Sequence, residues 1–327
     1  MINTIASFIS AAIIQSIPLL YGATGEIITE KSGNLNLGIP GIRYVGGISG
    51  LIGGYIYERM AVEPSAFLCI IIPLLSTLIG SGLMALIYSF LTITLRANQN
   101  VTGLALTTFG IGIGNFFGGS LLKLFGESGS ISLLTTGNYY KTKLPFADDL
   151  GLFGETFLSF GFLAYLAIAV AIVSSIILNR TRTGLNLRAV GENPATADAA
   201  GINVTKYKYL ATVIGGAISG LGGLYFVMDY TAGAWTNNGF GDRGWLAVAI
   251  VIFALWKPSS AIFSSFLFGG LYIICVKIPG LSGAAKELIK MLPYLVTIIV
   301  LVFTSARKKR EHQPPAHLGM SYFREDR

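Results

Sequence analysis

The sequence predicts an all-α, polytopic transmembrane helical bundle of about eight to ten spans, and three observations predict it. Hydrophobic residues make up 53% of the 327 and charged residues only 12%, about half the charged fraction of an ordinary soluble domain. Apolar stretches of about 20 residues, the length that crosses a bilayer core, recur along the chain. The basic residues collect in a few short segments between those stretches, as lysine and arginine do on one side of a membrane. The net charge of +7 belongs to that pattern, so lipid is expected around the chain and no nucleic acid.

Nine spans are expected, at residues 4–22, 36–57, 66–95, 101–122, 154–178, 207–228, 243–256, 260–277 and 287–305. The first is apolar and lacks the positive leading segment of a secretory signal, so it is read as a retained helix. The run at 66–95 exceeds one crossing and the run at 243–256 falls short of one, which points to tilted or broken helices. Residues 179–208, with Arg180, Arg182, Arg188, Lys206 and Lys208, are expected on the cytoplasmic side, as is the tail beginning Arg307, Lys308, Lys309, Arg310. An even number of spans separates the two segments, so the assignments agree. Counting back places 126–152, with Glu127, Asp148 and Asp149 against Lys141 and Lys143, outside, and Lys31 and Arg43 inside. The expected organisation is one membrane domain at 1–306, containing the loop at 179–208, and a cytoplasmic tail at 307–327.

The 41 glycines concentrate within spans, where small residues let helix backbones approach closely. Gly46, Gly50 and Gly54 recur every four residues, as do Gly110, Gly114 and Gly118, and Gly216 with Gly220 repeats the spacing. GGISGLIGGYIY at 46–57 faintly echoes GGAISGLGGLYF at 215–226, and internal repeats are frequent in transporters. Cys69 and Cys275 both lie in apolar runs, where a thiol behaves as a small hydrophobe.

The most informative stretch is TGLNLRAVGENPATADAAGINVTKYK at 183–208. It is too polar to span, and it spells a complete short helix: Asn193 as N-cap, Pro194 at the first helical position, helix-favouring residues to Ala200, and Gly201 as a left-handed stop. Two turns are too few to persist alone in water. The segment must therefore be held, either by this chain's own helix ends or by a partner's groove.

Two regions resemble a known family: GATGEIITEKSGNLNLGIPGI at 22–42, and LRAVGENPATADAAGINV at 187–204 with the glycine-rich stretch that follows. They are similar to the permease subunits of bacterial ABC importers for simple sugars and nucleosides, a ribose-permease-like superfamily that includes branched-chain amino-acid permeases. The tail PPAHLGMSYFRED at 314–326 resembles that of the shorter permease of nucleoside systems. Gly191, Asn193, Pro194, Ala197, Ala200, Gly201 and Ile202 fall where the family pattern expects them; Pro40 departs from it, standing where the family commonly has glutamate. The resemblance implies an ABC-importer permease fold in the bacterial cytoplasmic (inner) membrane, with a cytoplasmic C-terminus. It implies that the helix at 193–201 couples to an ATP-binding subunit, and that a second, non-identical permease and an extracytoplasmic solute-binding protein complete the system. The implied cargo is a nucleoside, purine nucleosides first; a simple sugar such as ribose or galactose is the alternative, followed by a partner-independent secondary transporter.

No enzyme is legible in the chain. It has no GxxxxGK[ST] phosphate loop, and GESGS at 126–130 lacks the lysine, so no cofactor is expected here and ATP with magnesium is assigned to the partner. His312 and His317 are the only histidines and both lie in the tail, which leaves none for a metal or acid–base centre within the spans. Asp148 and Asp149 are read as a solvated turn. Glu26, Asp229 and Asp242 all fall near span ends, and this scarcity of carboxylates at depth argues against ion coupling. A path for a neutral polar solute needs amides, hydroxyls and aromatic faces. Gln15, Asn34, Asn36, Thr107, Asn115 and Trp235 are candidates, with helix-to-helix hydrogen bonding the competing use of the polar ones. Tyr230, Trp235, Phe240 and Trp245 occupy an expected exterior loop, as interfacial anchors, a gate or a contact for the binding protein.

Overall fold

The computed structural model describes residues 2–124, 131–277, 282–307 and 313–324. The glycine-rich run at 126–130, the Cys275 side chain, Lys308, Lys309, Arg310 and His312 lie outside the described residues, as does the Arg307 side chain. Within them the chain is helical, without a named strand; one isolated bridge joins Ser132 to Ala234.

The elements follow in chain order. Helix α1 (Ile2–Lys31) runs past the expected end at 22, and α2 (Ile39–Met60) follows a short turn. Helix α3 (Ala66–Ser89) closes in a π-helical turn (Phe90–Thr94) and is one unbroken helix over the run that looked too long. Next come α4 (Gln99–Leu124), α5 (Leu134–Tyr140) and α6 (Gly151–Phe157). The expected span at 154–178 divides between α6 and α7 (Phe162–Arg180). Helices α8 (Arg182–Glu192) and α9 (Pro194–Ala199) form the polar loop, and α10 (Val204–Tyr225) ends, like α3, in a π turn (Phe226–Tyr230). The short α11 (Arg243–Phe253) is followed by α12 (Pro258–Lys277), α13 (Gly283–Lys290) and α14 (Leu292–Arg307). By length and composition, five helices can cross a membrane: α1, α3 with its π turn, α4, α7 and α10 with its π turn. The outward faces of α3 and α7 carry Leu75, Ile79, Leu83, Ile172 and Ile176, all exposed, an arrangement suited to lipid rather than water.

Helices α1, α2, α3 and α10 form the centre, α4 packs on α2, and α7, α11 and α12 pack on α1. Contacts between α2 and α10 rise together in number, Gly46 with Gly220 and Gly50 with Leu224, so the two echoing segments run parallel. The glycine stripes are packing faces: a Cβ on Gly46 would come 2.6 Å from the Gly220 Cα, and one on Gly110 would come 2.6 Å from the Gly41 Cα. These approaches require the absence of a side chain.

Two expectations need correction. Arg43, expected as a charge on the cytoplasmic side, is instead fully enclosed within the bundle in α2. In the expected exterior loop at 229–245, Trp235 and Phe240 are not interfacial anchors, because both are buried against Tyr44, whereas Tyr230 is exposed. After α10 the chain turns back into the bundle, and α11 begins at the depth of Gln15 and Pro40, which Arg243 and Gly244 touch. That explains why the run at 243–256 was too short: only part of that crossing is helical. It ends in two left-handed residues, Leu255 and Trp256 at φ 54°, a conformation costly for non-glycine side chains. Trp256 is held there by donating its indole N–H to Glu30.

Candidate functional site

The polar loop builds the clearest site. Thr181 caps α8, its side chain accepting from the Gly184 N–H at 3.1 Å. Asn193 caps α9, accepting from Thr196 at 3.0 Å, with Pro194 at the first position. At the far end Gly201 takes φ +81°, and the Ile202 N–H donates to the Ala197 carbonyl at 3.0 Å, closing the helix as a left-handed cap. The expected helix is therefore present, and α8 before it is an addition. Gly184, Asn186 and Gly191 are poor helix formers that hid α8, although Thr181 was a legible cap.

What holds α9 is this chain itself. Ala197, 3% exposed, packs with Val190 and Val204, and Ile202, Tyr207 and Tyr322 close around them. Gly191 lies against the end of α1, where a Cβ would strike the Lys31 carbonyl. The tail straps across the same place: the His317 N–H donates to the Gly191 carbonyl at 3.0 Å, and the Gly319 N–H to the Gly33 carbonyl at 3.2 Å. Tyr322 and Arg324 both donate to the Asp198 carboxylate, at 3.0 and 3.1 Å. Sequence reasoning missed this strap because none of its contacts is local. Thr196, Ala199, Ala200 and Gly201 remain exposed, a small-residue face turned away from the bundle. Of the seven residues expected to couple, Gly191, Pro194 and Ala197 are buried supports, Asn193 and Gly201 are the stops, Ala200 is exposed and Ile202 is half-buried.

A second polar group lies inside the bundle. Arg243 donates through Nε to the Gln15 amide oxygen at 3.2 Å and through Nη1 to the Gly239 and Phe240 carbonyls. Its guanidinium lies 5.2 Å from the Phe226 ring centroid and 4.8 Å from that of Tyr272, within cation–π range. Arg43 donates through Nη1 to the Arg243 carbonyl at 2.9 Å. Ionisable groups at this depth are costly; Arg43 was read only as a charge on the inner side of the span at 36–57, and Arg243 went unnamed because it stands at the very start of the span at 243–256. Beside them Pro40, in the first turn of α2 where a missing N–H is harmless, packs on Gly244. The cavity there measures about 20 Å³, too small for a solute.

The candidate path residues separate accordingly. Asn34 donates to Thr92 at 3.4 Å and Thr212 at 3.2 Å, tying the α1–α2 turn to α3 and α10. Asn36 donates its N–H to Glu26 and accepts from Gly38, while Thr107 donates to the Leu37 carbonyl at 2.8 Å. Trp235 fits against Gly114 and donates to Asn237 at 3.0 Å. With Gln15 on Arg243, five of the six are buried and tie segments together. Asn115 is the exception: it is part-exposed and exchanges two hydrogen bonds with Asn238, at 2.9 and 3.1 Å. Asp148 and Asp149 lie in an exposed turn, Asp148 3.9 Å from Lys143.

This arrangement, a helical membrane bundle with a capped two-turn helix presented on a polar loop, has known relatives. The family described as branched-chain amino acid transport system / permease component matches residues 8–301. The nucleoside ABC transporter permease protein NupC of Lactococcus lactis is 32% identical over 304 residues, 92% of each chain. The guanosine ABC transporter permease protein NupQ of Bacillus subtilis is 29% identical over 305 residues, again 92% of each. A protein of Haloferax volcanii provisionally named as the glucose ABC transporter permease TsgC13 is 32% identical over 98% of each. The match extends through nearly every helix described above, and the chain belongs to this family of permease components, as a multi-pass membrane protein.

Proposed function

We propose that this chain is the membrane-spanning permease of an ATP-driven importer for nucleosides, with α9 as the handle on which a separate ATP-binding subunit pulls. The observation that carries the reading is the full-length similarity to NupC and NupQ, which extends through α8 and α9. Orientation follows from charge. Lys31, Arg96, Arg180, Arg182, Arg188, Lys206 and Lys257 lie toward the α9 end, against Arg59, Lys141 and Lys143 toward the other. The α9 end and the tail are accordingly cytoplasmic.

In this reading ATP binding closes paired ATPase subunits, and the exposed face of Thr196, Ala199 and Ala200 transmits the movement to α8 and α10. The solute passes between this chain and a second, non-identical permease after delivery by an external binding protein. Asn115 with Asn238 supplies amide donors and acceptors on the outer half of that path. Gln15, Asn34, Asn36, Thr107 and Trp235 hold the helices that line it. The similarity to TsgC13 favours glucose or another simple sugar as the second reading.

The test is uptake. Cells lacking their own nucleoside importers receive this permease together with the ATP-binding subunit, second permease and solute-binding protein that the reading requires. Labelled guanosine, adenosine and glucose are then offered. ATP-dependent accumulation of a nucleoside supports the reading; accumulation of glucose alone replaces the cargo, and uptake by this chain without the ATPase removes the ABC mechanism.

A further inference from the structure

The α9 end holds a cavity of about 760 Å³, within the range of small-molecule sites. Four separate parts of the chain wall it: the end of α3, the turn after α9, the first turn of α10 and the docked tail. Among the described residues, the charged side chains that line it are Arg96, Lys206, Lys208 and Arg324, with the carboxylate of Asp198. That carboxylate already accepts from Tyr322 and Arg324.

Lys208 lies deepest. It is 3% exposed, and no hydrogen bond or ion pair among the described residues engages its ammonium. An ammonium buried without a counter-charge is costly, and the cost falls if an anion occupies the space it lines. The first turn of the 22-residue α10, capped by Asn203 through the Lys206 N–H, adds the partial positive charge of a helix N-terminus.

We propose that this cavity binds a phosphate-bearing anion, with Lys208 beneath it and Lys206, Arg96 and Arg324 around its rim. An anionic phospholipid headgroup and a soluble phosphate share that chemistry, and basic pockets between helix ends at a membrane surface take such headgroups. The site borders the coupling segment at Asp198 and Gly201 but not at Thr196, Ala199 or Ala200, and it is separate from the transported solute, so it does not rest on the nucleoside reading. An occupant would bridge the tail, the α9 turn and α10, fixing the coupling segment to the bundle.

The test uses the full-length protein in phosphatidylcholine nanodiscs titrated with inorganic phosphate, and in parallel in nanodiscs containing phosphatidylglycerol. Thermal unfolding and amide exchange over 198–208 and 321–324 are read in each. The expected result is a raised Tm and slower exchange with at least one of the two, not reproduced by sodium chloride at equal ionic strength. A response to phosphatidylglycerol alone identifies the lipid source, to phosphate alone the soluble source, and to both the shared chemistry. Lys208→Met abolishes the response. Lys206→Gln, on the exposed rim and safe for folding, weakens half-saturation about tenfold, the equivalent of about 1.4 kcal/mol. No response to either ligand, an equal response to chloride, or an undiminished response in both variants overturns the proposal. So does protection by the ATP-binding subunit alone, which would make the occupant a protein carboxylate.

Discussion

At Gly46 the backbones of α2 and α10 come within reach of one another because Gly46 has no side chain, and at Gly220 the bare backbone of α10 likewise admits α3. A Cβ on Gly220 would collide with the Ser81 hydroxyl and one on Gly46 with the Gly220 backbone. Gly46→Leu is therefore expected to destabilise the bundle by about 1–3 kcal/mol, the range for overpacking a tight core, and thermal unfolding of the purified protein measures it. Gly112 is the control, since nothing lies within 4 Å of a Cβ there; Gly112→Ala should leave Tm unchanged or raise it. The stripes at 46–54 and 110–118 were legible because small-residue spacing is local. Arg43 was not, because its burial depends on α10 and α11 closing over it. His317 offers a second test in the tail. Its pKa is lowered, first by burial and then by the Lys208 ammonium, and its Nδ1 is enclosed without a partner. The docked tail thus prefers neutral imidazole, while the Glu192 carboxylate holds the adjacent Ala316 N–H at 3.4 Å. The sign follows from linkage: docking is at full strength above the ordinary histidine pKa of about 6.5 and weakens as pH falls through that value toward the lowered one. Amide exchange of the tail should therefore accelerate between about pH 7 and 5, and His317→Asn should flatten the profile.

The element that carries the functional reading is α9, and it shows which structures a sequence can announce. Its cap, its proline and its stop are all written within nine residues, 193–201, and the structure forms each of them. The two-part segment at 231–253 announced itself only as a deficit of apolar length, since its first part is a series of turns held by Trp235 and Phe240 on Tyr44. Burial also sorts the substitutions expected to uncouple transport. Ala197 faces inward, so a bulky charge there breaks the packing on Val190 and Val204 before it reaches any partner. Ala199 faces outward, and Ala199→Glu should leave Tm unchanged while abolishing both co-purification of the ATP-binding subunit and uptake. Gly201→Pro cannot keep φ +81° and loses the N–H donated to the Asp198 carbonyl. It should unwind the stop, with loss of uptake but normal membrane insertion. Asn193→Ala removes one cap and should weaken the helix by about 1 kcal/mol, a partial defect. Normal uptake in the Ala199 and Gly201 variants would remove α9 from the mechanism.

Across the whole molecule, the tail at 317–324 closes on the first loop and on the coupling segment. Gly319 reaches Gly33 after α1, His317 reaches Gly191 in α8, Gln99 of α4 donates to the Met320 carbonyl at 3.4 Å, and Tyr322 and Arg324 reach Asp198 in α9. A helix of six residues has too little internal hydrogen bonding to transmit force unless its base is fixed, and this strap supplies part of that base. Removing residues 313–327 should therefore leave the bundle inserted and folded, because the central helices α1, α2, α3 and α10 pack without the tail. Amide exchange over 187–204 should rise sharply, and uptake should fall even where the ATP-binding subunit still co-purifies. Tyr322→Phe with Arg324→Gln isolates the contact to Asp198: a paired, partly exposed site of this kind contributes about 0.5–1.5 kcal/mol, so the double variant should loosen α9 less than the truncation does. Equal exchange over 187–204 in the full-length and truncated proteins would mean that α9 is held from the bundle side alone, by Val190, Val204 and Tyr207, and that the tail only covers it.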